Sequence, residues 1–323
     1  MARFYSHAFY LSNVRQVVDV IDSTLWTGER HLNLSRLNLT GWPTFPRRFA
    51  SIDLSHNKLR AVPVMEDGLV TLNLSENCLR RVDADDFCST LQFLDLSRNE
   101  LREIHGLPPA LKELKLCHNP LTFLCDLPTT LETLWCTNTQ LASLPALPPS
   151  LKKLYVSGNK LTALPFLHEG LEIVSVSGNQ LTEIAVPSTI RDLWACDNRL
   201  SSLTWVSAPK NLTSLTLDRN QLTALPESLR ECVLLESLHC SDNRLTTLPD
   251  LPPLLSGPSD GQKLRIHGNP LPYKLDYLFP IERFVEFVRG TLLKHEGDGG
   301  EEDEKEGVEH AEGVPVREVG VKA

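Results

Sequence analysis

No stretch of this 323-residue chain approaches the roughly 20 consecutive apolar residues that a membrane-spanning helix needs. Its first residues, 1–11, are broken by Arg3, Ser6 and His7 and lack a small-residue cleavage site, which speaks against a secretory signal. Basic residues are also short, with 32 Lys and Arg against 41 Asp and Glu. Of the formal charge of -9, residues 296–323 carry -7 and the rest of the chain -2. A nearly neutral body has no cationic stripe, which excludes a nucleic-acid groove. The eight cysteines are scattered and none falls in a CxxC pair, so a small disulfide framework is excluded and the thiols read as reduced, in a cytoplasmic setting. Neither G-x-x-x-x-G-K, G-x-S-x-G nor H-E-x-x-H occurs. The expectation is a protein without enzymatic activity, cofactor or metal.

What the chain has in quantity is leucine, set in a fixed frame. The segment Leu111-Lys-Glu-Leu-Lys-Leu-Cys-His-Asn119-Pro-Leu121 reads L-x-x-L-x-L-x-x-N-x-L. The frame recurs at Leu151–Leu161, Leu171–Leu181, Ile190–Leu200, Leu212–Leu222 and Leu235–Leu245, with earlier copies from Phe49, Leu69 and Leu91. Two units depart at the Asn place, with Leu37 in the first and Thr139 in the unit at Leu131. This makes about twelve units over residues 29–273, most of them 20 residues long, which is the signature of a leucine-rich repeat array.

The frame predicts a solenoid of the β-rich α/β class. Each L-x-L is a short strand with its leucines inward and its intervening residues outward, and successive strands stack into a curved parallel sheet. The Asn amide satisfies backbone groups where the chain leaves the strand. Twenty residues leave no room for a returning helix. Instead the return legs read Leu144-Pro145, Leu164-Pro165 and Leu248-Pro249, which predicts an extended, polyproline-like convex face. Short helical turns are expected in the longer units, for example at 83–89 and 226–233. A helical N-terminal cap is expected within residues 1–28, a capping helix at 274–295, and a disordered acidic tail at 296–323.

The units from Leu144 to Pro165 and from Leu225 to Pro249 resemble the short LPX-type leucine-rich repeats of bacterial type III effectors, the YopM and IpaH/SspH class. That resemblance implies a helical N-terminal cap and action inside a host cytoplasm. The ligase members of that class carry a large catalytic-cysteine domain beside the repeats. Residues 273–323 are too few for one and contain no Cys.

The informative surface is the outward, concave face. Its row one residue after the central Leu runs through Asp53, Asp95, Lys115, Trp135, Tyr155, Ser175, Trp194, Thr216, His239 and Arg265. The row before it includes Phe93, Glu113, Lys153, Ile173, Asp192 and Lys263. At a strand spacing of about 4.8 Å, Trp135 and Tyr155 become direct neighbours, with Trp194 two strands further on, at about 10 Å. Folding does not require outward aromatics, and Trp and Tyr dominate binding hot spots. The expectation is a monomeric protein-interaction scaffold. Its site is Trp135, Tyr155 and Trp194, extended by Phe93 and Ile173 and edged by Lys115, Lys153 and Asp192. Three settings remain open from sequence: a secreted effector in a host cytoplasm, an endogenous cytosolic regulator of an enzyme, and the substrate-recognition subunit of a separate ubiquitin ligase.

Overall fold

The computed structural model describes residues 19–21, 24, 30–41, 49–63, 65, 67–205, 207–251 and 263–271. Of the expected N-terminal cap, Asp19–Ile21 and Thr24 are helical; its remainder, the capping helix at 274–295 and the tail at 296–323 lie outside the described residues.

The strands in chain order are β1 (His31–Asn33), β2 (Ser51–Asp53), β3 (Thr71–Asn73), β4 (Arg81–Val82), β5 (Phe93–Asp95), β6 (Glu103–Ile104), β7 (Glu113–Lys115) and β8 (Thr133–Trp135). They continue as β9 (Lys153–Tyr155), β10 (Ile173–Ser175), β11 (Glu183–Val186), β12 (Asp192–Trp194), β13 (Ser202–Trp205), β14 (Ser214–Thr216), β15 (Ser237–His239) and β16 (Lys263–Arg265). Twelve of these form one parallel sheet in the order β1-β2-β3-β5-β7-β8-β9-β10-β12-β14-β15-β16. Each repeat contributes one three-residue strand, and the middle residue of every one is buried beneath the sheet. The expected strands and their inward and outward alternation are therefore those observed. Register is uniform, with Leu134 opposite Leu154 and Val174 opposite Leu193, so the apolar side chains stack in unbroken rows and neighbour interfaces carry the stability.

The asparagines knit successive units together. Asn119 accepts the Leu101 N–H at 3.0 Å and donates through Nδ2 to the carbonyls of Leu96 and Leu116, both at 3.0 Å. Asn57, Asn77, Asn99, Asn159, Asn179, Asn198, Asn220, Asn243 and Asn269 bridge adjacent units in the same way. The residue before each Asn is left-handed, as at Glu76 (φ 54°) and His118 (φ 57°). Glycine takes this place at 158 and 178, where positive φ is free of the Cβ penalty.

The return legs differ at one recurring place. In the unit of β6, the His105 N–H donates to the Val82 carbonyl at 3.0 Å and closes the small β4–β6 pair. Pro145, Pro165 and Pro226 occupy the equivalent place, and proline has no N–H to give. Ala185 and Thr204 stand there instead in the units that form the β11–β13 pair. Absence of proline is necessary but not sufficient: Leu124-Cys125 lacks it and forms no strand. Two of the longer units carry 3₁₀ turns, at Ala84–Asp86 and Glu227–Glu231, within the predicted segments.

Candidate functional site

The outward face changes character along the sheet. Over the first four units it is tied down by its own backbone. Asn33, Asp53, Asn73 and Asp95 each accept, through Oδ1, the N–H of the serine two residues on, at 2.8–3.0 Å. The acidity of Asp53 and Asp95 therefore serves in part to hold the strand exit. Phe93 rises from this stretch, 39% exposed, beside an open depression of about 430 Å³ lined by Thr71, Asn73, Asp95, Glu113 and Lys115. Lys115 pairs with Glu113 at 3.1 Å, so these two charges compensate each other.

The middle of the sheet carries the rings. Trp135 and Tyr155 stand opposite each other in register on β8 and β9. Their centroids lie 3.7 Å apart with the planes 8° from parallel. Trp194 is nearer than strand spacing predicts. Its centroid is 6.3 Å from Tyr155, at 29°, although β10 runs between their strands. The reason is Ser175, the outward residue of β10, which is too small to fill the row; Trp194 leans across it. The far side of Trp194 is held by a hydrogen bond from Nε1 to Ser214 Oγ at 3.4 Å.

Stacking consumes both faces of Tyr155 and one face each of Trp135 and Trp194, so the edges of these rings point outward, and edges bear the positive end of the aromatic quadrupole. Beside them on the preceding row stand Lys153, Ile173 and Asp192, all half-buried. Asp192 accepts the Thr213 hydroxyl at 2.8 Å. Burial, and then the negative charge of Asp192, push the Tyr155 phenol above its ordinary range, so at neutral pH it is an intact O–H donor. All eight expected site residues thus lie on one sheet face. Trp135, Tyr155 and Trp194 are brought into contact, Lys153, Ile173 and Asp192 flank them, and Lys115 and Phe93 lie one and two strands, respectively, toward the N-terminal end.

The cysteines do not join this site. All eight are free, and Cys136 and Cys240 fill inward leucine places, where burial pushes the Cys136 thiol up to about 12 and Cys240 up as well. Such thiols are packing groups and not nucleophiles. Among the described residues no group of three His, Cys, Asp or Glu side chains could hold a metal ion, and no helix is long and apolar enough to cross a membrane.

No protein-family model and no curated protein matches the sequence. Solved structures do match. YopM from Yersinia enterocolitica WA-314 aligns with a TM-score of 0.55 and 26% identity, covering 79% of this chain and 68% of its own. The chain is a leucine-rich repeat protein. A second structure, the leucine-rich effector YopM from Yersinia pestis, aligns at 0.54 and 24% identity over 83% of this chain and 92% of that one. The leucine-rich repeat array is also similar to a chain of the Toll–Spätzle complex, described as a hub of Drosophila development and innate immunity, at 0.56 and 25% identity over 68% and 34% of the two chains.

Sequence reasoning overlooked two features of the face. The capping role of Asp53 and Asp95 was readable from the serine two residues after each. The unpartnered Nε of Arg265 at the far end of the sheet was not readable, because pairing depends on side chains from units tens of residues away.

Proposed function

We propose that this leucine-rich repeat protein is a non-enzymatic interaction scaffold that grips a protein partner across the outward face of its twelve-stranded sheet. The Trp135–Tyr155–Trp194 row forms the centre of the site. Phe93 and Ile173 extend it, and Lys115, Lys153 and Asp192 edge it. One observation carries the reading: three large rings stand in file on the face opposite the core, where the folding of the repeats asks for none. Each ring projects from a strand, so little is lost in ordering the site when a partner arrives. Ring edges together with the Tyr155 O–H and the Lys153 ammonium suit partner carbonyls and acidic side chains, while Ile173 offers an apolar seat.

The likeness to YopM, one structure of which is described as a leucine-rich effector protein, supports a bacterial effector. We propose that it works as a monomer in a host cytoplasm, without metal or cofactor and without a membrane or nucleic-acid ligand. The likeness to a chain of a protein–protein complex supports a protein partner. The test is a photo-crosslinking residue placed at Tyr155 and, in a second protein, at Phe166, which is 84% exposed on a return leg. In eukaryotic cell extract the reading expects one protein to be trapped from position 155 and not from position 166. Equal trapping from both positions would exclude the sheet face. A partner found only in extract of the source cell would place the protein among endogenous regulators or ligase recognition subunits.

A further inference from the structure

We infer that the depression beside Phe93 is a binding site for a neutral sugar, held between Asn73 and Asp95. The site is separate from the ring row. Phe93 and Asp95 stand on β5, two strands from Trp135 on β8, and none of the three stacked rings lines the depression. Its volume of about 430 Å³ falls within the range of about 300–1,000 Å³ that small-molecule sites occupy. Its walls are polar, with Thr71, Asn73, Asp95, Glu113 and Lys115 around the Phe93 ring, which suits a ligand rich in hydrogen-bonding groups.

Asn73 and Asp95 stand opposite each other in register, about 4.8 Å apart along the sheet. Each has one end tied and one end open. The Ser75 N–H, at 3.0 Å, and the Ser75 hydroxyl, at 2.8 Å, donate to Asn73 Oδ1. A backbone N–H can only donate, so that end of the amide is its oxygen and Nδ2 is left as a donor. The Ser97 N–H donates to Asp95 Oδ1 at 2.9 Å, which leaves Oδ2 as an acceptor. Among the described residues neither Asn73 Nδ2 nor Asp95 Oδ2 has a hydrogen-bond partner. Around them, Glu113 and Lys115 pair at 3.1 Å, Lys115 stands in register beside Asp95, and Asp53 lies on the other side of Asn73. An ammonium or guanidinium only donates, so it would leave Asn73 Nδ2 unmet and face the Lys115 ammonium. A carboxylate or phosphate would set its charge against Asp95. A hydroxyl is neutral and both donates and accepts. Two hydroxyls of one sugar ring accept from Asn73 Nδ2 and donate to Asp95 Oδ2, the second bond strengthened by the carboxylate charge, while the C–H groups of the ring rest on Phe93.

The sugar can be free or carried by a glycoprotein partner, and the test separates the two sources. Saturation-transfer NMR and calorimetric titration of the full chain are run with glucose, galactose, mannose and N-acetylglucosamine. They are repeated with a glycopeptide bearing the sugar that binds most tightly, with the bare peptide, and with free arginine and glutamine. The expected result is saturable binding of at least one of the four sugars, and tighter than that of either amino acid. Asp95→Asn turns the open acceptor into a donor, and Asn73→Asp turns the open donor into an acceptor. Asn33 and Asp53 already fill equivalent places with the same tie to serine, so both variants are expected to fold and to melt as the wild type does. Each should bind sugar about tenfold more weakly, the loss of one hydrogen bond to a charged or pre-oriented group. Tighter binding of the glycopeptide than of the free sugar identifies a protein-borne glycan as the source; equal or weaker binding identifies the free sugar. Trp194→Ala is expected to leave sugar binding intact, so failure of the aromatic site and failure of this one are distinguishable. A wild-type protein indifferent to all four sugars, a preference for arginine or glutamine, a peptide bound equally with and without its sugar, or Asp95→Asn and Asn73→Asp proteins that bind sugar as the wild type does, would overturn the inference.

Discussion

Asn119 holds three backbone groups that no strand could reach, and its neighbours in the ladder do the same. Removing the amide in Asn119→Ala should cost about 1–3 kcal/mol, read from denaturant unfolding. The unit with Thr139 is the natural counter-experiment. The Thr139 hydroxyl reaches Asn159 Oδ1, and the Leu121 N–H meets no amide of the kind that serves Leu101. Thr139→Asn should therefore stabilise the protein by about 1 kcal/mol. Tyr155 supplies a pH test. Its phenol holds its proton more tightly in the folded than in the unfolded chain, first through burial and then through Asp192. Stability should therefore fall as the pH rises through the ordinary tyrosine value, about 10, toward the higher folded value. An ultraviolet titration should show Tyr155 ionising above the ordinary tyrosine value, and lower in Asp192→Asn.

Short strands and return legs were legible to different degrees. The three-residue strands follow from L-x-L because a period of two with one buried face admits a single register, and every predicted outward row is the observed one. The return legs follow only in part. Leu-Pro marks extended chain, but pairing of two adjacent legs needs a donor that only a proline-free place supplies, and proline-free Leu124-Cys125 still stays unpaired. The lean of Trp194 was equally hidden, since it depends on Ser175 leaving space. At this scale His105→Pro should remove the bond to Val82, open the β4–β6 pair and cost about 1 kcal/mol. Amide exchange at Ile104 should quicken while that of Leu114 on β7 stays slow.

Across the whole array, the twelve-stranded sheet presents one face with distinct stretches: backbone-tied carboxylates and amides first, rings in the middle, a guanidinium at the end. Because each repeat leans only on its neighbours, a change on the outward face should leave the inward rows intact. Function and folding are then separable by side. The decisive measurement is the affinity of Trp135→Ala and Trp194→Ala for the protein trapped at Tyr155, taken alongside their thermal unfolding, with Leu134→Ala as the inward control. The account predicts weaker binding by about 2 kcal/mol or more for each Trp variant with little change in stability, and a loss of about 2–5 kcal/mol of stability for Leu134→Ala. Trp variants that bind normally but unfold early would contradict it, and would make the stacked rings a part of the scaffold's own stability.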